Sequence, residues 1–146
     1  MNAPSGAAAN SPTSATSATL VNYAELAGRV LLAILFLLSG IGKIGAYAAT
    51  AGYMSSAGVP GALLPVVIAT EVLGALAVIL GWKSRVVGVL LAGYCVLTAG
   101  IFHRNFADQM QMINFLKDIS IAGGLLLLAA NGAGVISLDR RFAKGG

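Results

Sequence analysis

This chain of 146 residues has one cysteine, Cys95, and one histidine, His103. A lone cysteine excludes an intrachain disulfide and a CxxC dithiol. A lone histidine excludes a haem held by two histidines of the same chain, and the two residues together exclude a zinc site of the usual Cys/His kind. No P-loop signature occurs among the 19 glycines. Charge is scarce as well: 10% of the residues are charged and 58% are hydrophobic, where a soluble domain carries about 25% charged residues. So little charge leaves most of the apolar surface to lipid. The excess of four positive charges is scattered, with no Lys/Arg run longer than two. That excludes a nucleic-acid surface and reads as membrane-orienting charge. The chain is therefore expected to bind no cofactor of its own; a redox partner would be a diffusible quinone or would belong to another protein.

What is present is a set of long apolar runs. Spans are expected at 23–44, 61–81, 86–102 and 112–131, each long enough or nearly so to cross a bilayer. Residues 1–19, uncharged and rich in Ala, Ser and Thr, read as a disordered tail, without the basic n-region of a signal peptide. Residues 20–136 read as one transmembrane domain and 137–146 as a basic cytoplasmic tail beside anionic headgroups. The first loop, 45–60, carries Tyr47 and Tyr53 among small residues and predicts a short interfacial helix. Short loops make consecutive spans antiparallel neighbours, so the expected fold is all-α, an integral membrane four-helix up-down bundle. Gly88, Ala92, Cys95 and Ala99 share one face of the third span and predict close helix packing. Lys83, Arg85, Arg140, Arg141 and Lys144 lie on one side, against Lys43 and Arg104 on the other. This bias predicts both termini in the cytoplasm.

The strongest functional signal is Glu71, near the centre of the apolar run Gly61–Gly81. An acid at mid-membrane costs about 2.5–3.5 kcal/mol on the mildest scale, so a proton, a cation or a polar cavity must compensate it. Arg29, Phe36, Gly40 and Lys43 share a seam of the first span. Helical side chains lean toward their own N-terminus, so Lys43 and Glu71 lean toward each other in an antiparallel hairpin, while Arg29 leans away. With the span ends level, the axial gap between Lys43 and Glu71 is about 13–15 Å, which leaves space for a water or a ligand. Asn114, Lys117, Asp118 and His103 gather in the same half of the bundle. Arg29, Lys43, Glu71, Asn114, Lys117 and Asp118 are the candidate pocket residues, with Glu71 and His103 the candidate proton-exchanging groups. Arg29 and Lys43 could equally snorkel to opposite interfaces, and buried charges also serve structural networks. Trp82 reads as an interface anchor and Cys95 as packing.

Several of these motifs, in this order and spacing, resemble the DoxX family. They are Arg29…Phe36-Leu-Leu-Ser-Gly-Ile-Gly-Lys43, then Gly58-Val-Pro60, Glu71…Gly74…Leu80-Gly81 and Arg85. Further on come Phe102-His103…Asp108-Gln-Met-Gln-Met-Ile-Asn-Phe-Leu-Lys117, Ala122-Gly-Gly124 and Asn131-Gly-Ala-Gly134…Ser137-Leu-Asp139. The likeness covers about residues 24–140. Relatives often have Lys-Asn where this chain has Lys117-Asp118. The resemblance implies a four-helix membrane protein, some of whose relatives resemble the membrane subunit of thiosulfate:quinone oxidoreductase and others of which are tied to quinone, catechol or thiol stress. It is the sole source of the oxidoreductase label, since the residues show no redox centre. Three functions follow as expectations: a membrane subunit of a quinone- or thiol-linked oxidoreductase system, a scaffold for soluble redox enzymes, or a small proton-coupled transporter. The first is preferred. Expected partners are the lipid bilayer, a soluble redox protein and a second copy of the chain.

Overall fold

A computed structural model of the chain describes residues 12–145. The elements are α1 (Pro12–Gly45), α2 (Tyr47–Ser56), a 3₁₀ turn (Gly61–Leu63) that leads into α3 (Leu64–Leu80), α4 (Ser84–Phe102), α5 (Gln109–Asn131) and α6 (Leu138–Lys144), with no strand among the described residues. Ala15–Gly45, Gly61–Leu80, Ser84–Phe102 and Gln109–Asn131 are long and apolar enough to cross a membrane. The expected all-α four-helix up-down bundle, with a short helix in the first loop, is what forms. Its outward faces carry leucines such as Leu31, 72% exposed, and Leu127, 67% exposed. Water would not tolerate an apolar surface of that extent, and lipid does. One boundary differs: α1 begins at Pro12, so residues 12–19 of the expected tail continue the helix, and residues 1–11 lie outside the described residues.

The tightest pairings are α1 with α3 and α4 with α5, and α3 touches α4 less extensively. The buried centre is made of small residues, among them Ala33, Ala75, Ala92, Ala99 and Ala122. Lipid supplies no hydrophobic drive between helices, so close backbone approach must hold them. Gly88 shows this: a Cβ there would lie 2.9 Å from the Leu125 carbonyl. The expected stripe Gly88, Ala92, Cys95, Ala99 is buried throughout. Gly40 does the same for α1 and α3, since a Cβ there would lie 2.7 Å from Val72 and 3.3 Å from the Glu71 Cβ.

The chain ends of the bundle differ. The upper end carries α2 and the loop 103–108, where Asp108 caps α5 by accepting from the Met110 and Gln111 N–H groups. The lower end carries the tight turn 81–83 and α6. Gly81 ends α3 in the left-handed conformation, φ +67°, and Lys83 follows at φ +47°. These positive angles turn the chain within two residues but leave the first N–H groups of α4 unmet. Asp139 meets them, accepting from the Lys83 N–H at 2.6 Å and the Ser84 N–H at 2.9 Å, while its own N–H donates to the Gly81 carbonyl at 2.9 Å. Burial pushes the Asp139 carboxyl up, but the Ser84 and Lys83 donors and the nearby Arg29 charge outweigh it and hold it below the ordinary aspartate range.

Candidate functional site

Where α3 and α4 part, the helices enclose a cavity of about 500 Å³, lined mainly by apolar side chains of α1, α3 and α4, with α2 across its upper end. At its floor Glu71 is 4% exposed. The Lys43 Nζ donates to Glu71 Oε1 at 2.9 Å and Oε2 at 2.8 Å, and also to the Ser39 hydroxyl. The Tyr94 hydroxyl donates to Glu71 Oε1 at 2.7 Å. Three helices thus converge on one carboxylate: α1 brings Lys43 and Ser39, one turn apart, α3 brings Glu71, and α4 brings Tyr94. The lean of Lys43 and Glu71 toward each other is as expected, but the 13–15 Å axial gap is not. Gly40 sits level with Glu71 and Val72, so Lys43 lies only about 4–5 Å above Glu71 along the axis. The upper end of α3 rises past that of α1, and α2 covers the difference. The pair is therefore direct, with no water or ligand needed between its members.

Nearer the upper end, His103 and Asp118 face the same cavity. The His103 Nδ1 lies 2.8 Å from Gln111 Oε1, and Nε2 lies 3.9 Å from Asp118 Oδ2. Tyr53 stacks on Phe102 at 5.5 Å between ring centroids, both beside the cavity. Thr98 turns its hydroxyl to the carbonyls of Tyr94 and Cys95 at 3.0 Å each. Cys95 is buried and also lines the cavity.

Of the candidate residues, Lys43, Glu71, His103 and Asp118 line this cavity, and Arg29, Asn114 and Lys117 do not. Arg29 is 3% exposed and belongs to the lower end. Its guanidinium donates to the carbonyls of Val78, Ile79 and Ile136. It neither snorkels to an interface nor reaches the pocket. Lys117 is exposed on the outer side of α5, in a shallow groove with Ile113, Leu116 and Ser120. Asp118 pairs with His103 rather than with Lys117. Asn114 is half-buried one turn above Asp118. Sequence reasoning missed Ser39 and the Tyr94–Glu71 bond. Ser39 is four residues before Lys43, and that spacing was the available signal. No group of three or more His, Cys, Asp or Glu side chains placed to hold a metal occurs among the described residues.

The fold, with four helices long and apolar enough to cross a membrane, defines a multi-pass helical membrane protein. Residues 24–104 match the DoxX family, and the chain belongs to it. It is 45% identical over 125 residues to Inner membrane protein YqjF of Escherichia coli (strain K12), covering 86% of this chain and 96% of that protein. It is 40% identical over 123 residues to Inner membrane protein YphA of the same organism, covering 80% of this chain and 88% of that one. No solved structure matches it.

Proposed function

We propose that the protein is the membrane subunit of a quinone-linked redox system, and that its cavity receives the ring of a quinone-class molecule from the bilayer. The observation that carries this reading is the cavity of about 500 Å³ with mostly apolar walls, a polar floor made by Lys43, Glu71 and Tyr94, and His103 and Asp118 nearer its upper end. Small-molecule sites have this make-up: mostly apolar, within about 300–1,000 Å³, with a few placed polar groups. An ionisable residue inside a membrane marks a functional site by default. Electrons come to or leave the ring through a soluble partner. The basic lower end faces the cytoplasm with both termini, and the cavity lies in the opposite half of the bundle.

Full-length protein in detergent, titrated with decylubiquinone, tests the reading. Wild type should bind saturably. Val67→Trp, whose larger side chain would fill part of the cavity, should weaken binding about fivefold or more, with thermal unfolding checking that the variant is folded. Absence of saturable binding to the wild type would overturn the proposal.

A further inference from the structure

We infer that the cavity is built to accept hydrogen bonds from its occupant, with Asp118 and His103 as the specificity-determining pair, so that it takes the hydroxyl-bearing form of a ring in preference to the carbonyl form. This rests on the reading of the cavity as a site for quinone-class rings, and deepens it.

The donors on the wall are already committed. An ammonium has three hydrogens, and those of Lys43 go to Ser39 and to both oxygens of Glu71. The Tyr94 hydrogen goes to Glu71. The Thr98 hydrogen is shared by the Tyr94 and Cys95 carbonyls and the Asp118 carboxylate. Thr50 donates to the Ala46 carbonyl at 2.9 Å. Among the described residues, the Ser39 and Thr70 hydroxyls and the phenol of Tyr53, at the half-exposed rim, retain a hydrogen to offer.

The acceptors keep positions open. A carboxylate has about four lone-pair positions. The ion-pair partner of Asp118 is a histidine 3.9 Å away, beyond hydrogen-bonding distance. With Gln111 beside Nδ1, His103 turns Nε2 toward Asp118 on the cavity side. Glu71 Oε2 takes one bond, from Lys43, and keeps a lone pair. Two carboxylates therefore face one ammonium, which also disfavours a ring bearing an acid group. The contact of Gly88 with Leu125 and Ala129 sets the register of α4 against α5. It places Asp118 about level with Leu97, roughly one turn above Tyr94. Acceptors thus stand both at the floor and one turn higher. A carbonyl ring brings only further acceptors to this wall, whereas a hydroxyl donates to it. In a site of low dielectric an unmet polar group is costly.

The test is equilibrium titration of the full-length protein in nanodiscs of neutral lipid with decylubiquinol under reducing conditions and with decylubiquinone. The reduced form should bind about five- to tenfold tighter, as one added hydrogen bond to a charged acceptor gives. Asp118→Asn, whose amide supplies donors, should bring the ratio near one. A preference unchanged in that variant would overturn the assignment to Asp118. A pair that differs only in the donor, 1-naphthol and 1-methoxynaphthalene, should show the same order on wild type, so the inference does not depend on the variant folding. Equal binding of both redox forms, or tighter binding of the oxidised one, would overturn the inference and leave the cavity as a ring site. Failure of every ring to bind would remove the ring site and the inference together.

Discussion

At the upper end of the bundle Lys43 and Glu71 answer each other side chain to side chain around open space. At the lower end Arg29 and Asp139 answer the backbone: Arg29 the carbonyls of Val78, Ile79 and Ile136, and Asp139 the N–H groups of Lys83 and Ser84. The approach there is close, since a Cβ on Gly81 would run into the Arg29 guanidinium. The two ends solve the same problem, charge taken out of water, with different freedoms. Side chains that satisfy each other can be replaced as a unit or reorganised around a ligand. Backbone groups cannot be mutated away, so whatever satisfies them is fixed. The upper end is thus the place where chemistry can vary, and the lower end is the fastening that lets it.

The sharpest way to test this contrast is a double-mutant cycle at the upper pair. Glu71→Leu alone strands the Lys43 charge and should cost about 3–5 kcal/mol, as for breaking a buried pair. Lys43→Met combined with Glu71→Leu should recover most of it, read as unfolding midpoint in detergent. If the double variant is as unstable as the single, the pair is not a replaceable unit. At the lower end Arg29→Met should cost about 2–3 kcal/mol by leaving several buried carbonyls unmet. No second side-chain replacement at its partners should recover that loss, because they are main-chain groups; a rescuing change at position 78, 79 or 136 would break the comparison.

Asp139 gives the smallest and most specific effect. Its carboxyl is held below the ordinary range, so the ionised form is favoured by folding. The stability it adds is complete above the unfolded-state value of about 3.9 and is lost as pH falls further, through the folded-state value. Wild type should therefore lose stability below about pH 4, while Asp139→Asn, less stable at neutral pH by about 1–2 kcal/mol, should show a flatter acid limb. Parallel acid limbs for the two proteins would show that Asp139 is not the titrating clasp.

The spans, the interfacial helix and the packing face of α4 were legible because period, length and small-residue spacing are local signals. So was the direction of the Lys43–Glu71 pairing, which follows from side-chain lean. Its distance was not, because the register of α1 on α3 is set by Gly40 meeting Val72 across the interface, a contact that neither helix announces. Lys117 and Asp118 show a second limit. Adjacent helical residues point about 100° apart, so only one of the two can face the cavity, and the sequence alone could not choose the rotation. Arg29 was placed on the right seam but given the wrong partners, since carbonyls freed at a helix end carry no side-chain signature. The seven residues of α6 are too few for periodicity to reveal, and the role of Asp139 was hidden with them.

The lower fastening has a consequence for how the protein is made. Lys83 and Ser84 are translated early, yet the carboxylate that caps them stands 56 and 55 residues later in the chain. At roughly 5–20 residues per second, the turn between α3 and α4 waits about 3–11 s for its partner. Throughout that interval the upper helices can already associate, while the N-terminal end of α4 stays uncapped. The turn is thus locked by a segment made after all four spanning helices. A chain that stopped before Asp139 would carry those four helices and still lack the contact that closes this turn.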